Sequence, residues 1–307
     1  MKLSKSTQYL SWINLATFIA IAVIYFAFYI LITKYLSWKM TEVSTEPFSI
    51  NSFFQKKTNI GIVSMVKDPK NIETWLDKHR ALGIRHFYIR LEETPELESF
   101  LKSQPDVTVQ SGKSSGVNEY EDIQTRQNSW VNEALQIAIL DTPQIKWLIH
   151  IDADELLQGD LSPIESLPEN VRTFWMQNHE AKYSKIPSES DNCFDASTFV
   201  DCSTQPDKCV SYGNGKSGGR VAPDVTANGP HRMKTNIPNS PTPKLSNVLV
   251  QHYESCDFET YKKKFKRLAV QDKQVEIPFA YYNESIDACR RDDDEALRNI
   301  YTKYRLE

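Results

Sequence analysis

The sequence predicts an α/β protein built on a largely parallel, doubly wound sheet, and three observations carry that expectation. From Asn59 onward, short β-branched and aromatic runs alternate with segments of helical spacing, the pattern of strands and their covering helices. The run Trp147-Leu148-Ile149-His150-Ile151 reads as a buried strand. It passes straight into Asp152, Asp154 and Glu155, and sheets of this class bind ligands at the carboxyl ends of their strands.

The 307 residues suffice for one large α/β domain or two small ones. With 40% hydrophobic and 25% charged residues, the composition is that of a folded chain. A net charge of −4 offers no broad basic surface, which argues against nucleic acid as a partner.

After a short tail (residues 1–8), Ser6–Thr33 carries no charge and Ile13–Ile32 is almost wholly apolar. About 20 such residues cross a bilayer as a helix. Trp12 and Tyr35 stand where interfacial aromatics belong, and Lys5 and Lys34 bracket the run. The expectation is a transmembrane signal anchor over residues 9–35, then a polar stem over 36–57. A cleaved signal peptide fits less well, because its apolar run spans about 7–15 residues and ends in small ones. Here Tyr25, Phe26, Phe28 and Tyr29 continue. Lys2 and Lys5 before the run balance Lys34 and Lys39 after it, so charge leaves the orientation nearly even. The cysteines favour a lumenal body. Cys193, Cys202 and Cys209 are closely spaced, with Cys256 and Cys289 beyond, and loop cysteines point to disulfides in an oxidising compartment. Five is odd, so at least one thiol stays free or pairs between chains. Asn283-Glu284-Ser285 is a glycosylation sequon.

The folded body, expected over residues 58–280, opens on the strand Asn59–Val66. Ile72–Leu82 has helical spacing, with Ile72, Trp75, Leu76 and His79 on one face and Gly83 suited to its C-cap. His86–Arg90 is a second strand, Pro95–Ser103 a short helix and Val107–Val109 a third strand. Gly- and Ser-rich residues 111–121 read as a loop, and Ser129 as the N-cap of a helix through Leu140. Residues 183–243 are rich in Ser, Asn, Pro, Gly and Cys and read as a long, cysteine-stapled functional loop. Leu245–Tyr253 is a late strand and Phe258–Val270 a basic helix; residues 281–307 form a C-terminal helical extension.

Asp152-Ala153-Asp154 is a D-x-D at a strand-to-loop transition. Like charges this close repel, and burying them unpaired costs several kcal/mol, so a cation is expected among them. Two carboxylates one residue apart can face one hard ion, and Mg²⁺ or Mn²⁺ takes oxygen ligands while keeping positions open for phosphate.

Several segments carry a family resemblance. Val63–Ile89 (V-S-M-V-K-D-P-K-N-I-E-T-W-L-D-K-H-R-A-L-G-I-R-H-F-Y-I) resembles the opening of GT-A-fold glycosyltransferases, most of all the family 2-like and family 92 (domain of unknown function 23) enzymes. Arg126-Gln127, W-L-I-H-I-D-A-D-E-L-L and the late H-Y-E-S-C-D-F-E-T-Y-K-K-K-F are similar to later motifs of that family, in the same order. The resemblance implies a GT-A, Rossmann-like α/β/α sandwich. It further implies a hexosyl-type transferase moving a sugar, with inversion, from a UDP-linked donor to a glycan or glycoconjugate hydroxyl. Asp152 and Asp154 would hold Mn²⁺ or Mg²⁺, with Asp152 also near the ribose. His252 would add a metal ligand, His231 being its competitor. Lys67 and Asp68 would read the nucleotide base. Arg126 and Gln127, taken to precede a helix N-terminus, would face the diphosphate. Lys216 and Arg220, in Gly215-Lys216-Ser217-Gly218-Gly219-Arg220, would fold over it as a flexible basic lid. Lys262, Lys263, Lys264, Lys266 and Arg267 read as a solvated helix face from which one side chain reaches the phosphates. Trp175, Asn178, His179 and Glu180, taken to follow the next strand, would face the acceptor, with Glu180 the candidate base among Glu189, Asp191 and Asp195. With the lumenal body that the cysteines favour, the expectation is a type II single-pass protein with its catalytic domain in the Golgi or ER lumen.

Two departures stand out. Leu91 occupies the place of an acidic residue, and F-W-M-Q-N-H-E-A-K replaces the family's F-G-S-S-G, so donor and acceptor identities do not transfer. Two other classes compete: a metal-dependent nucleotidyltransferase, whose opening Gly-rich loop V-S-M-V-K-D-P-K lacks, and an inactive, membrane-anchored lectin-like module.

Overall fold

The computed structural model describes residues 57–113, 119–142, 144–196, 198–270 and 277–307, the side chains of 119–121 excepted. Strands β1 (Ile60–Val66), β2 (His86–Glu92), β3 (Val107–Gly112), β4 (Trp147–His150), β5 (Glu155–Gly159) and β6 (Thr173–Lys182) are followed by β7 (Thr198–Asp201), β8 (Lys216–Arg220), β9 (Val225–Ala227), β10 (Met233–Thr235) and β11 (Lys244–His252). Helices are α1 (Ile72–Ala81), α2 (Glu98–Lys102), α3 (Glu119–Asp141), α4 (Ser162–Glu165), α5 (Phe258–Ala269), α6 (Ala280–Arg290) and α7 (Asp294–Arg305). The main sheet runs β3-β2-β1-β4-β8-β6-β11-β5, with β7 on β6; β9 and β10 form a separate ribbon. The β3–β2–β1–β4 half is parallel, as expected. Beyond β4 the sheet is mixed: β8 is antiparallel to β4 and β6, and β11 is parallel to β6 but antiparallel to β5.

The apolar run of β1 exists because both of its faces are covered. Ile60, Ile62 and Val66 pack with Trp75 and Leu76 of α1, whereas Val63 packs with Trp130, Val131 and Leu135 of α3. This makes the α/β/α layering. Trp75 donates its indole N–H to the Glu155 carbonyl at 2.7 Å. His79, fully buried, donates from Nδ1 to the Trp75 carbonyl and accepts at Nε2 from the Leu157 N–H, at 2.8 and 3.0 Å. One face of α1 therefore clamps the segment that follows the D-x-D.

The structure corrects the sequence reading at three places. α3 begins at Glu119, so Ser129 lies inside it and caps nothing; an Asp122–Arg126 pair and the Arg126–Glu92 bond hold its early turns to the sheet. Trp175, Asn178, His179 and Glu180 lie within β6 rather than after a strand. Gly215–Arg220 is no lid. Its residues Lys216–Arg220 form β8, a central strand, and glycines in it and just before it sit where a side chain has no room. A Cβ on Gly218 would stand 2.4 Å from the Phe174 ring, and one on Gly215, at φ 70°, would stand 1.9 Å from the Met176 carbonyl oxygen. Periodicity misses such a strand because its glycines mimic a loop.

The described cysteines form Cys193–Cys256 and Cys202–Cys209, leaving Cys289 free. No helix among the described residues is long and apolar enough to cross a membrane; the anchor expected over 9–35 and nearly all of the stem lie outside the described residues. Helices α5, α6 and α7 share an aromatic core of Tyr261, Phe265, Tyr281 and Tyr301. The chain end returns to the sheet, where Leu306 bridges Tyr183.

Gly218→Ala is expected to lower unfolding free energy by about 1–3 kcal/mol through overpacking against Phe174, measured by denaturant titration. His79 carries an acid signature. Burial drops its pKa from 6.5 to about 3, against a smaller upward pull from the Trp75 carbonyl. Its stabilisation is present above 6.5 and is lost as pH falls toward the folded value. Between pH 6 and 4 the stability slope of His79→Gln is expected to be shallower by about 1.4 kcal/mol per pH unit.

Candidate active site

A cleft of about 830 Å³ opens at the carboxyl ends of β1, β2, β4 and β11, where strand ends present side chains to a ligand. Lys67, Asp68 and Lys70 follow β1, Glu92 ends β2, Asp152 and Asp154 follow β4, and His252 and Glu254 stand at the end of β11. Arg126 and Gln127 of α3 form one wall, and Lys263, Lys264 and Arg267 of α5 another. Asp68 and Ser255 take left-handed backbone angles, with φ of 45° and 46°. Non-glycine residues held this way concentrate at functional sites.

Two acidic clusters meet there. In the first, the Lys216 ammonium is fully buried, 2.5 Å from Asp152 Oδ2 and 3.4 Å from Glu155 Oε2. Gln127 donates to Asp152 Oδ1 at 2.9 Å, and the Asp152 N–H donates to Glu155 at 2.7 Å. The Tyr212 hydroxyl donates to the other Glu155 oxygen. Burial works to raise the Asp152 carboxyl, but Lys216 and His150 overcome it and hold the pKa at about 2. Glu155 goes the other way: burial pushes it up to about 7 despite Lys216. Asp152 therefore carries the charge that Lys216 neutralises. The cation expected for these carboxylates is, at Asp152 and Glu155, a lysine of the chain itself.

In the second cluster, Asp154, His252 and Glu254 each offer a ligand atom, all within 4.8 Å of one another. His252 Nε2 lies 3.6 Å from Asp154 Oδ2 and 3.9 Å from Glu254 Oε2. The Asp154 side chain is 43% exposed, that of Glu254 3%. Burial opposes the protonated form of His252, yet Glu180 and Asp154 outweigh it and raise its pKa well above 6.5. Burial likewise opposes the charge on Glu254, but Lys264, which donates to both its oxygens at 2.8 Å, brings its pKa to about 2. Two carboxylates and an imidazole converging on a cleft suit a divalent ion such as Mn²⁺ or Mg²⁺, with positions left for substrate oxygens.

The remaining expectations divide. Lys67 and Asp68 line the cleft, paired with Glu93 at 2.5 Å and Lys263 at 2.9 Å. His231 lines it too, its ring 4.2 Å from that of Tyr212. Arg126 lies inside α3, so no helix terminus supports it; its Nε bonds Glu92 at 2.9 Å. Arg220 is at the far end of β8, bonded to the Leu167, Pro168 and Val171 carbonyls and stacked 4.4 Å from Trp147. It is outside the cleft. Glu180 is outside as well: fully buried behind His252, it meets Arg305 at 2.5 Å and His252 Nδ1 at 3.1 Å. A base needs access to an acceptor hydroxyl, and Glu180 has none. Glu189, Asp191 and Asp195 also miss the cleft. Sequence reasoning overlooked Glu254, although it stands two residues after His252, the spacing that returns a side chain to one face. It overlooked Glu92, although that acid follows Leu91 at the end of β2, and also Tyr212 and Arg305, for which the sequence holds no local signal.

No family model matches the chain. A curated relative described as "Glycosyltransferase-like At3g57200" from Arabidopsis thaliana is 22% identical over 253 residues, covering 66% of this chain and 48% of its own length. The chain thus spans about half the length of the curated relative it matches. Solved structures with partial likeness include Rv0371c from Mycobacterium tuberculosis (11% identity, 68% of this chain and 97% of that one, TM-score 0.31). A 4-diphosphocytidyl-2C-methyl-D-erythritol synthase from Anaerococcus prevotii (12%, 56% and 72%, TM-score 0.29) and HddC from Yersinia pseudotuberculosis (9%, 64% and 78%, TM-score 0.27) are similar to the same extent. At such TM-scores the likeness carries no argument about activity.

The two clusters differ in what they contribute to stability. Lys216→Met strands Asp152 and Glu155 without their cation and is expected to lose about 3–5 kcal/mol. Asp154→Ala, at an exposed side chain, is expected to change stability by less than about 1 kcal/mol. Paired chemical melts of the two variants check both.

Proposed function

We propose that this chain is a metal-dependent glycosyltransferase that moves a sugar from a nucleoside-diphosphate donor to a glycan or glycoconjugate hydroxyl. The observation that carries the reading is the convergence of Asp154, His252 and Glu254 on a cleft at the strand ends. The curated relative's description supports a glycosyl transferase, and its partial coverage leaves donor and acceptor open.

The chain's own groups divide the work. Asp154, His252 and Glu254 would hold the ion, which when bound offsets charge developing on the departing diphosphate. Lys263 and Arg267, which line the cleft on α5, add positive charge beside it. Asp152 contributes through its bond to Gln127 and is held in place by Lys216. A UDP donor and inversion at the anomeric carbon remain expectations of the resemblance. Membrane anchoring through residues 9–35, with the body in the Golgi or ER lumen, belongs to the same proposal. The two disulfides support it, since such bonds persist in oxidising compartments.

A panel of nucleotide-sugars tested with Mn²⁺ should show release of the nucleoside diphosphate and appearance of the sugar on water or an acceptor. Asp154→Ala, His252→Ala and excess chelator should each reduce this at least about 100-fold. Transfer of a nucleotide instead of a sugar would establish the nucleotidyltransferase reading, and full turnover in chelator would remove the metal. Because His252 loads an ion only after losing its raised proton, Mn²⁺ affinity should tighten as pH rises from 6 to 8.

A further inference from the structure

Behind the cleft, a chain of buried charge runs to the last residues of the sequence. His252 and Glu180 are register partners across the parallel β11–β6 pair. The Glu180 carboxylate has two buried neighbours: His252 Nδ1 at 3.1 Å from Oε2, and Arg305 Nη1 at 2.5 Å from Oε1. Arg305 is fully buried, and its Nε and Nη2 have no hydrogen-bond partner among the described residues. Among the described residues its hydrogen-bonded nitrogen is the one committed to Glu180, and its guanidinium carbon lies 5.4 Å from the centre of the Tyr183 ring. The segment carrying it is clamped to the sheet. Tyr183 N–H donates to the Arg305 carbonyl at 3.0 Å, Glu307 N–H donates to the Tyr183 carbonyl at 3.1 Å, and Thr198 Oγ1 donates to the Glu307 carboxylate at 2.6 Å. A buried pair with unsatisfied nitrogens is a poor device for stability, since apolar replacements of such pairs are often neutral or better.

We propose that Glu180 and Arg305 are positioning residues for the ion site, so that the end of α7 forms a working part of it. The inference rests on the reading of Asp154, His252 and Glu254 as ligands. When His252 is neutral, Glu180 accepting from Nδ1–H sets its tautomer and turns the Nε2 lone pair toward Asp154 and Glu254. Carboxylate–imidazole pairs of this kind orient metal-binding histidines. Arg305 occupies the second Glu180 oxygen and prevents the carboxylate from turning away. Glutamine at position 180 offers one acceptor oxygen to two donors, so it must abandon either His252 or Arg305.

The test is Mn²⁺ titration of the full chain, followed by the electron paramagnetic resonance signal of the free ion, with near-ultraviolet circular dichroism reporting folding. Glu180→Gln and Arg305→Met should weaken Mn²⁺ binding about 10–100-fold, and Arg305→Lys should recover most of the loss. At saturating Mn²⁺ their kcat should fall less than their affinity. Parental affinity in folded Glu180→Gln would overturn the proposal, and this near-isosteric variant decides alone if Arg305→Met does not fold. Asp154→Ala separates the two levels of the argument. If it binds Mn²⁺ as the parent does, the ligand assignment falls and the positioning role with it; if it loses the ion while Glu180→Gln keeps it, only the positioning role falls.

Discussion

Acidic side chains crowd the carboxyl ends of β4 and β11, and those other than Asp154 have a lysine or arginine brought by another part of the fold. Asp152 and Glu155 share Lys216 from β8, Glu254 has Lys264 from α5, and Glu180 has Arg305 from α7. Desolvating carboxylates without such partners costs several kcal/mol each. Close charge compensation is therefore the constraint on how the second half of the chain is threaded. Strand β8 must run beside β4, and the C-terminal helices must close over β6 and β11, for those cations to arrive.

The compensation is unequal, and the inequality defines the site. Lys216 is sealed between Asp152 and Glu155; the Asp152 N–H bonds the same Glu155 oxygen that faces Lys216, and the Tyr212 hydroxyl takes the other. Asp154 is different: its side chain stays open to the cleft, with His252 and the carboxylate of Glu254 beside it. The two acids of one D-x-D thus do different jobs. Asp152 ties β4 to α3 and β8, whereas Asp154 presents an oxygen to the cavity.

The cleft is also held by covalent and aromatic means. Cys193–Cys256 joins the loop after β6 to the segment after β11, and both half-cystines line the cavity. Phe194 meets the Tyr253 ring edge-on, with centroids 5.1 Å apart. Loop closure of this kind lowers the entropy the unfolded chain can gain. The long segment that reads as irregular is thereby fastened at several points: one disulfide to the cleft, a second within itself, and β8 inside the sheet.

The sequence by itself determined the strands whose partners lie on both faces, such as Ile60–Val66 and Trp147–His150, and the amphipathic face of α1 with His79 in it. Hydrophobic period is a local property, and these elements obey it. It also determined where the acids lie and that some cation must answer them. Only the tertiary structure decided which cation. Lys216 sits 64 residues from Asp152, and Arg305 sits 125 from Glu180, so no window along the chain relates them. Gly218 of β8 and Gly215 just before it are glycines because the Phe174 ring and the Met176 carbonyl press against them. Close packing between distant segments leaves no periodic trace, and for that reason a strand read as a lid and a carboxylate read as a base both changed roles once the chain was folded.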